Sequence, residues 1–256
     1  MPKRLIKIKS QYSSLLSHLV ASQSASPYTI IEAEGSYYLS FSDSIDQGDI
    51  DKAKQAADVV IAHLNAIFQL PPFRVTKALE RESDDVITVD DNGNKIGQIT
   101  RDIAMRVGIA PDLTTIDFSN LLKMEEIASK LSRIKEALHY YGQGASWFNL
   151  FDVYECIKKD IKEVEGEERE IPGHWLVDSH GKYRLKDFTE SANNANISGY
   201  AARHTYAESK AIESINDRLV KLTDSGDEIV PMLLGEATTF IEKLLVQWLK
   251  YRGIHF

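Results

Sequence analysis

The sequence predicts an α+β protein, in which a small N-terminal antiparallel sheet with one helix is followed by a C-terminal four-helix-type bundle. In the first half of the chain, short runs rich in Tyr, Ile, Val and Phe alternate with turn residues, as is typical of strands and hairpins. In the second half, apolar residues recur every three or four positions, which indicates amphipathic helices. We place the N-terminal domain at residues 1–110 and the C-terminal domain at 115–256.

The N-terminal strands are predicted from their composition and from their turns. The stretch "YTIIEAEGSYYLSFS" (28–42) is typical of a hairpin with Glu34-Gly35 at the turn, and "DVITVDDNGNKIGQIT" (85–100) of one with Asn92-Gly93. The run "FRVTKALE" (73–80) favours a further strand.

One helix is predicted in this domain, over "DIDKAKQAADVVIAHLNAIFQL" (49–70). Its apolar residues recur at helical spacing. The helix should end at Pro71-Pro72, because proline lacks the N–H group that a helix needs and clashes with the preceding turn.

Four amphipathic helices are predicted in the C-terminal domain. The first extends over 121–141, and the second begins after Ser146, whose hydroxyl can cap it. The third extends from about Tyr200 to Leu222, and the fourth covers 235–251. Successive amphipathic helices joined by loops favour a bundle.

The composition excludes several classes of protein. With 43% hydrophobic and 27% charged residues, the chain is expected to be globular, and its net charge of −8 gives no support to tight non-specific binding of nucleic acid. No apolar run approaches the roughly 20 residues that span a bilayer. The first 27 residues are too polar for a secretory leader. A single cysteine, Cys156, fits a reducing compartment. We therefore expect a cytoplasmic protein without a membrane partner.

Metal and cofactor sites are not predicted. The seven histidines are scattered, and neither HExxH nor CxxC occurs. His174, Asp178 and His180 are close in sequence, but histidines in loops are more often simply exposed. There is also no GxSxG motif and no glycine loop of the phosphate-binding type.

The best candidate for a chemical site is "SANNANISGYAARHTYAE" (191–208). Arg203 offers a fixed cationic fork for a phosphate or carboxylate, and His204 can transfer a proton near neutral pH. With Asn194 as an amide donor, these residues have the chemistry of metal-independent RNA cleavage, and we take all three as catalytic candidates.

The neighbouring polar residues are candidates for ligand binding, namely Asn193, Asn196 and Arg184. A structural role is the alternative for the whole segment, because asparagines cap helices and stabilise turns. In that role, Arg203 would pair with Asp152, Glu155 or Glu190.

The C-terminal half also carries a family resemblance. The succession of "LSRIKEALHYYGQGASWFNLFDVYECIKKDI", "YRLKDFTESANNANISGYAARH" and "EATTFIEKLLVQWL" resembles a group of uncharacterised bacterial proteins that have a "SAN…G…ARH" motif. More distantly it is similar to HEPN domains, which are helical modules that often act as ribonucleases in toxin and defence systems. Their motif is an Arg followed four to six residues later by His. This resemblance implies Arg133 and His139, in "RIKEALH", as the alternative catalytic pair.

Three functions follow as expectations. The first is an interaction or assembly module, with a protein partner or a second copy (a homodimer) bound through helix-borne aromatic residues, in a multi-protein or defence-type system. The second is a HEPN-like ribonuclease effector that needs no metal and acts on RNA. The third is a sensor of a small anionic or nucleotide ligand. The sequence leaves these alternatives open.

Overall fold

The structure is a computed structural model of the 256-residue chain. It describes residues 3–10, 15–21, 28–33, 35–41, 49–70, 79–89, 95–99, 130–198, 201–203, 212–216, 219–222 and 228–254. The chain divides into two compact units, Met1–Lys130 and Leu131–His255. The predicted boundary between residues 110 and 115 lies outside the described residues.

The N-terminal unit contains five strands and two helices among its described residues. Along the chain they are β1 (Lys3–Lys9), α1 (Leu15–Ala21), β2 (Tyr28–Ala33), β3 (Ser36–Phe41), α2 (Ile50–Gln69), β4 (Glu80–Val89) and β5 (Lys95–Ile99). The antiparallel sheet and the α+β class are confirmed. Helix α1 was not expected, because its seven residues span only two turns and include polar side chains, so the apolar repeat is too short to detect.

The sheet has the strand order β2-β3-β1-β4-β5, and every neighbouring pair is antiparallel. Helix α1 connects β1 to β2, and α2 connects β3 to β4. This is the β-α-β-β-α-β connectivity of ferredoxin-like folds, widened by the edge strand β5. The strands of both predicted hairpins pair as expected, β2 with β3 and β4 with β5. Gly35 between β2 and β3 has a φ of +72°, which glycine adopts at little cost, whereas the predicted turn at Asn92-Gly93 lies outside the described residues.

The core of this unit is a row of apolar side chains that crosses four strands. Ile30, Leu39, Ile6 and Val86 are register neighbours from β2 to β4, and each is at most 2% exposed. Since directly opposed residues point to the same face of a sheet, these four side chains form one buried surface.

Helix α2 is confirmed over nearly its whole predicted length. Asp49 caps it, accepting hydrogen bonds from the backbone N–H groups of Asp51 and Lys52. Buried Asn65 makes two 2.8 Å hydrogen bonds to the backbone of Leu79 and so fastens the residue before β4 to the helix. The predicted strand 73–80 lies largely outside the described residues.

The C-terminal unit is mostly helical. Its elements are α3 (Ser132–Gly142), α4 (Trp147–Glu165), a 3₁₀ turn (Gly173–Trp175), α5 (Leu185–Asn193), α6 (Ala195–Ser198), β6 (Ile212–Asn216), β7 (Leu219–Leu222), β8 (Glu228–Ile229) and α7 (Leu234–Tyr251). Ser146 caps α4 as predicted, accepting from the N–H of Asn149 at 3.1 Å. Helix α4 contacts α3, α5 and α7.

The third predicted helix, 200–222, is wrong where the structure describes it. Residues 212–216 and 219–222 are strands of a three-stranded antiparallel sheet, β6-β7-β8. Ile212, Ile215 and Val220 are β-branched, which favours strands. The helical spacing from Ile215 to Leu222 arose by coincidence from two short strands. Helix α5, of nine residues, was not among the four predicted helices.

The centre of the C-terminal core is the ring of Phe188, which is fully buried. It lies 5.5 Å from Phe240 and about 6 Å from Phe151 and Tyr154, measured between ring centroids. Phe188 therefore joins α5 to both α4 and α7, and aromatic contacts of this kind add to the free energy gained by burial.

Candidate functional site

The asparagine-rich segment turns the chain between α5 and α6. The side chain of Asn194 is 2% exposed, and its Oδ1 accepts a hydrogen bond from the backbone N–H of Asn196 at 3.0 Å. Its carbonyl oxygen accepts from the N–H groups of Ile197 and Ser198. These contacts are those of a helix N-cap, a position that favours Asn. The buried side chain of Asn194 therefore stabilises the start of a helix.

Arg203 lies in a bend after α6, and not in a helix as predicted. Its guanidinium stacks over the ring of Phe151, 3.8 Å from the centroid, and its Nη1 donates to Oδ1 of Asn193 at 3.2 Å. Nη2 lies 4.0 Å from a carboxylate oxygen of Asp152. The backbone N–H of Arg203 also donates to the carbonyl of Ala192 at 2.9 Å. Arg203 therefore ties this bend to α4 and α5.

The other residues predicted for this site are not all gathered around Arg203. His204 lies outside the described residues, so its pairing with Arg203 stays a prediction. Asn196 is exposed. Arg184 precedes the first residue of α5, whereas Asn193 is its last residue, so their Cα atoms are about 13 Å apart along the helix axis. Arg184 and the asparagines thus belong to opposite ends of α5.

The alternative pair, Arg133 and His139, lies on α3. Arg133 donates to the carboxylates of Glu163, at 2.5 and 3.0 Å, and of Glu136, at 3.0 Å, which raises the pKa of the guanidinium. Nε2 of His139 is 2.7 Å from the side-chain nitrogen of Gln143, and burial lowers the pKa of the imidazole. Six residues apart, Arg133 and His139 project about 120° from each other around the helix.

The histidines near Asp178 do not form a metal site with it. Oδ1 of Asp178 accepts hydrogen bonds from the backbone N–H groups of His180 and Lys182, at 2.8 and 3.0 Å, and these bonds together with Arg184 lower the pKa of the carboxyl. Among the described residues, no group of three or more His, Cys, Asp or Glu side chains is arranged to hold a metal ion.

A cavity that the sequence did not predict lies beside α4. Tyr154, Lys158 and Lys162 follow one another at intervals of four residues and therefore form a stripe along one face of that helix. Arg169 and Tyr183 complete the wall from the chain that follows. We call this cavity of about 290 Å³ the basic pocket. Three apolar side chains also line it, those of Ile171, Leu176 and Leu185.

The cations of the basic pocket have weak partners. Lys158 Nζ is 3.6 Å from Glu155, and Arg169 Nε is 4.0 Å from Glu165, in pairs that are largely exposed. Exposed pairs of this kind contribute little free energy. For the ammonium group of Lys162, no acidic partner lies within 4.0 Å among the described residues. Three cationic side chains therefore face a cavity to which one acidic residue, Glu170, contributes.

The two tyrosines supply hydroxyl groups and aromatic rings. Burial raises the pKa of Tyr154 to about 12, with smaller effects from Glu155, Tyr183 and Glu170. The hydroxyl of Tyr154 is therefore protonated at neutral pH and can donate a hydrogen bond. Tyr183 as a whole residue is 52% exposed, so part of it is accessible to a ligand in the basic pocket.

Part of the basic pocket was visible in the sequence "YECIKKDIK" (154–162). Its Tyr-Lys-Lys stripe has the spacing of one helix face. A stripe of this kind is more often a solvated surface, and only the fold of the chain after α4 brings Arg169 and Tyr183 against it. The signal was therefore present but not specific.

Comparison with known proteins gave no matching family model, no matching curated protein and no matching solved structure. Within the described part of the chain, none of the helices has the length and apolar character needed to cross a membrane.

Proposed function

We propose that the C-terminal unit is a binding module for a small phosphate-bearing ligand, and that the basic pocket is its binding site. The observation that supports this most directly is the convergence of Lys158, Lys162 and Arg169 on one cavity. The chain as a whole has a net charge of −8, so the cationic lining of this cavity contrasts with the average charge of the chain. Clefts lined by one sign of charge concentrate ligands of the opposite sign.

The chemistry of the wall matches a phosphate. Lysine ammonium groups and an arginine guanidinium donate charge-assisted hydrogen bonds to phosphate oxygens, which are the stronger class of hydrogen bond. The protonated hydroxyl of Tyr154 adds a neutral donor. The acidic partners of Lys158 and Arg169 are partly or fully exposed and lie 3.6 and 4.0 Å away, so a ligand can replace them at small cost in free energy.

The volume of the basic pocket and the ring of Tyr183 narrow the class of ligand. A volume of about 290 Å³ is close to the lower end of the range for small-molecule sites, about 300–1,000 Å³, and suits one nucleotide better than two. Tyr183 lines the basic pocket and is half exposed, so we propose that its ring stacks on a planar base, a contact that typically contributes about 1–3 kcal/mol per base. A mononucleotide combines the two features, and the function proposed is that of a nucleotide sensor.

Ribonuclease chemistry at Arg203 has weaker support. A cation that stabilises a transition state must be free to approach the substrate, whereas this guanidinium is engaged by Phe151 and Asn193. An assembly role rests on exposed apolar side chains such as Phe148 on α4 and Leu233, which immediately precedes α7. Single exposed apolar residues are normal on protein surfaces.

Titration calorimetry with the full-length chain tests the proposal, using AMP, GMP, CMP and inorganic phosphate. We expect at least one nucleotide to bind more tightly than phosphate alone, and its affinity to fall as salt is raised, because salt screens the cations. Lys162→Gln should weaken binding by about tenfold, the equivalent of one lost charge-assisted contact.

The matched control is Lys159→Gln. Lys159 is exposed on the same helix but does not line the basic pocket, so this substitution changes the net charge by the same amount. Equal losses of affinity in the two variants, or no binding of any of the four compounds, would contradict the proposal.

A further inference from the structure

A second cavity lies on the other side of the segment that closes the basic pocket. Residues 176–184 form a hairpin, in which Val177 pairs with Tyr183 and the N–H of Arg184 donates to the carbonyl of Leu176 at 2.8 Å. Its turn includes Gly181, with a φ of +78°. Between this hairpin and helix α7 is a cavity of about 380 Å³, which we call the hairpin cavity. Its size falls in the range of small-molecule sites.

The walls of the hairpin cavity are largely apolar. Phe240 and Met232 are buried residues of the core whose side chains border it, and Val177 borders it from the hairpin. A ligand that fills this cavity must therefore carry an apolar body, because polar groups placed against such walls lose their hydrogen bonds with water.

Most of the charges at the hairpin cavity are already compensated. Arg184 Nε donates to Asp187 at 2.7 Å, and its Nη1 is 3.5 Å from Asp178. Glu236 accepts a hydrogen bond from the N–H of Leu233 at 2.8 Å and lies in the first turn of α7, where the helix dipole stabilises a negative charge. The three charged side chains that line the cavity here, Asp178, Arg184 and Glu236, therefore need no charged ligand.

Lys243 is the exception. Its Nζ donates to the carbonyl oxygen of Val177 at 2.6 Å, which is a neutral acceptor. Within the described residues no carboxylate lies within 4.0 Å of this ammonium group, and Lys243 is only partly exposed. A partly buried charge without a counter-charge is unfavourable, and an anion would relieve it. The ammonium group has further N–H donors that the single bond to Val177 does not use.

We propose that the hairpin cavity binds a small monocarboxylate with an apolar body. The carboxylate pairs with Lys243, and the body packs against Phe240, Met232 and Val177. This site differs from the basic pocket in its ligand as well as in its place, because its walls are largely apolar and carry one cation without a counter-charge, whereas three cations line the basic pocket. It does not depend on nucleotide binding.

The test measures binding to the full-length chain by calorimetry, with hexanoate as the probe and 1-hexanol as its uncharged counterpart. We expect hexanoate to bind with a Kd of about 1 mM or below, and hexanol to bind at least about tenfold more weakly. Lys243→Gln keeps a donor for Val177 but removes the charge, and it should bring the affinity for hexanoate down to that for hexanol. Lys250→Gln, at an exposed position of the same helix, should change neither value.

A second variant keeps the test valid if Lys243→Gln fails to fold. Thr239 lines the cavity from an exposed position of α7, so Thr239→Trp fills the cavity without entering the core. We expect it to abolish hexanoate binding while the thermal unfolding transition remains cooperative. Equal affinity for hexanoate and hexanol, or hexanoate binding that survives Thr239→Trp, would overturn the proposal, and so would the absence of binding to the unmodified chain.

Discussion

Asp160 and Trp248 join the two longest helices described in the C-terminal unit through a buried hydrogen bond. The indole Nε1 of Trp248 on α7 donates to Oδ2 of Asp160 on α4 at 2.8 Å, and Arg252 Nε lies 3.4 Å from the same oxygen. Asp160 is 4% exposed and Trp248 is fully buried. The carboxylate thus satisfies an indole donor that has no access to water.

Removing this carboxylate should destabilise the protein more than an ordinary substitution does. Asp160→Ala leaves a buried indole N–H without an acceptor and Arg252 without its counter-charge, and we expect a loss of about 3 kcal/mol in the free energy of unfolding. Asp160→Asn keeps an acceptor for Trp248 and should cost about half as much. Urea denaturation measures both. Glu167→Ala, at an exposed position, is the control and should fall within about 0.5 kcal/mol of the unmodified protein.

The contact of Arg203 with Phe151 predicts a structural penalty for replacing the arginine. Arg203→Lys keeps the charge but loses the planar group that stacks on the ring at 3.8 Å and the bond to Asn193, so we expect a loss of about 1 kcal/mol in stability. A double-mutant cycle with Phe151→Leu should give a coupling energy of similar size. A coupling energy of zero would show that the stack contributes nothing.

Ser191 is predicted to hold the segment between β8 and α7 against α5. It is fully buried; its Oγ donates to the carbonyl of Asp187 at 2.7 Å and accepts from the N–H of Met232 at 2.9 Å. Ser191→Ala leaves the N–H of Met232 buried without an acceptor, at a cost of about 1–3 kcal/mol. Hydrogen exchange of that amide should accelerate by at least about tenfold. Ser191→Thr, which retains the hydroxyl, should protect the amide better than Ala does.

Cys156 is predicted to be unreactive in the folded protein. Burial, reinforced by the negative charge of Glu136, raises the pKa of the thiol to about 12. At pH 8.5 fewer than about one molecule in a thousand carries the reactive thiolate, so iodoacetamide should label the native chain very slowly and the urea-unfolded chain completely. The chain has one cysteine, so total label reports this thiol alone.

The same shift makes stability depend on pH. The pKa of the thiol is higher in the folded than in the unfolded chain. The contribution of the protonated thiol to the free energy of unfolding is therefore fully present below about pH 8.5 and is lost as the pH rises toward 12. Cys156→Ala should flatten the decline of stability over that alkaline range. Rapid labelling of the native thiol at pH 8.5 would contradict the burial from which both expectations derive.

Much of the fold was predictable where a local signal agreed with the tertiary structure. Helix α2, the two hairpins of the sheet and the Ser146 cap have strong local causes: apolar periodicity, turn glycines and a capping hydroxyl. The segment 212–222 was mistaken for a helix because its apolar residues, which belong to two short strands, happen to recur at helical spacing. Helix α5 was missed because its nine residues contain few apolar positions and are buried through Phe188.

The candidate site was less predictable than the fold. The asparagines and Arg203 were found by composition. In the structure Asn194 caps a helix and Arg203 contacts α4 and α5, and composition alone cannot distinguish such structural roles from catalytic ones. The basic pocket depends on Tyr183, which comes 21 residues after Lys162 and reaches α4 only through the 176–184 hairpin. Such long-range placement is a property of packing and not of local sequence.

The 176–184 hairpin is a common wall of two cavities. Neighbouring residues of a strand point in opposite directions, so Tyr183 lines the basic pocket while Arg184 lines the hairpin cavity. A ligand that displaces the hairpin from within one cavity therefore changes the shape of the other cavity. By thermodynamic reciprocity, the factor by which a nucleotide alters carboxylate affinity equals the factor by which a carboxylate alters nucleotide affinity. Under the two proposals above, the hairpin couples the two sites, so the occupancy of each cavity would depend on the concentration of both ligands.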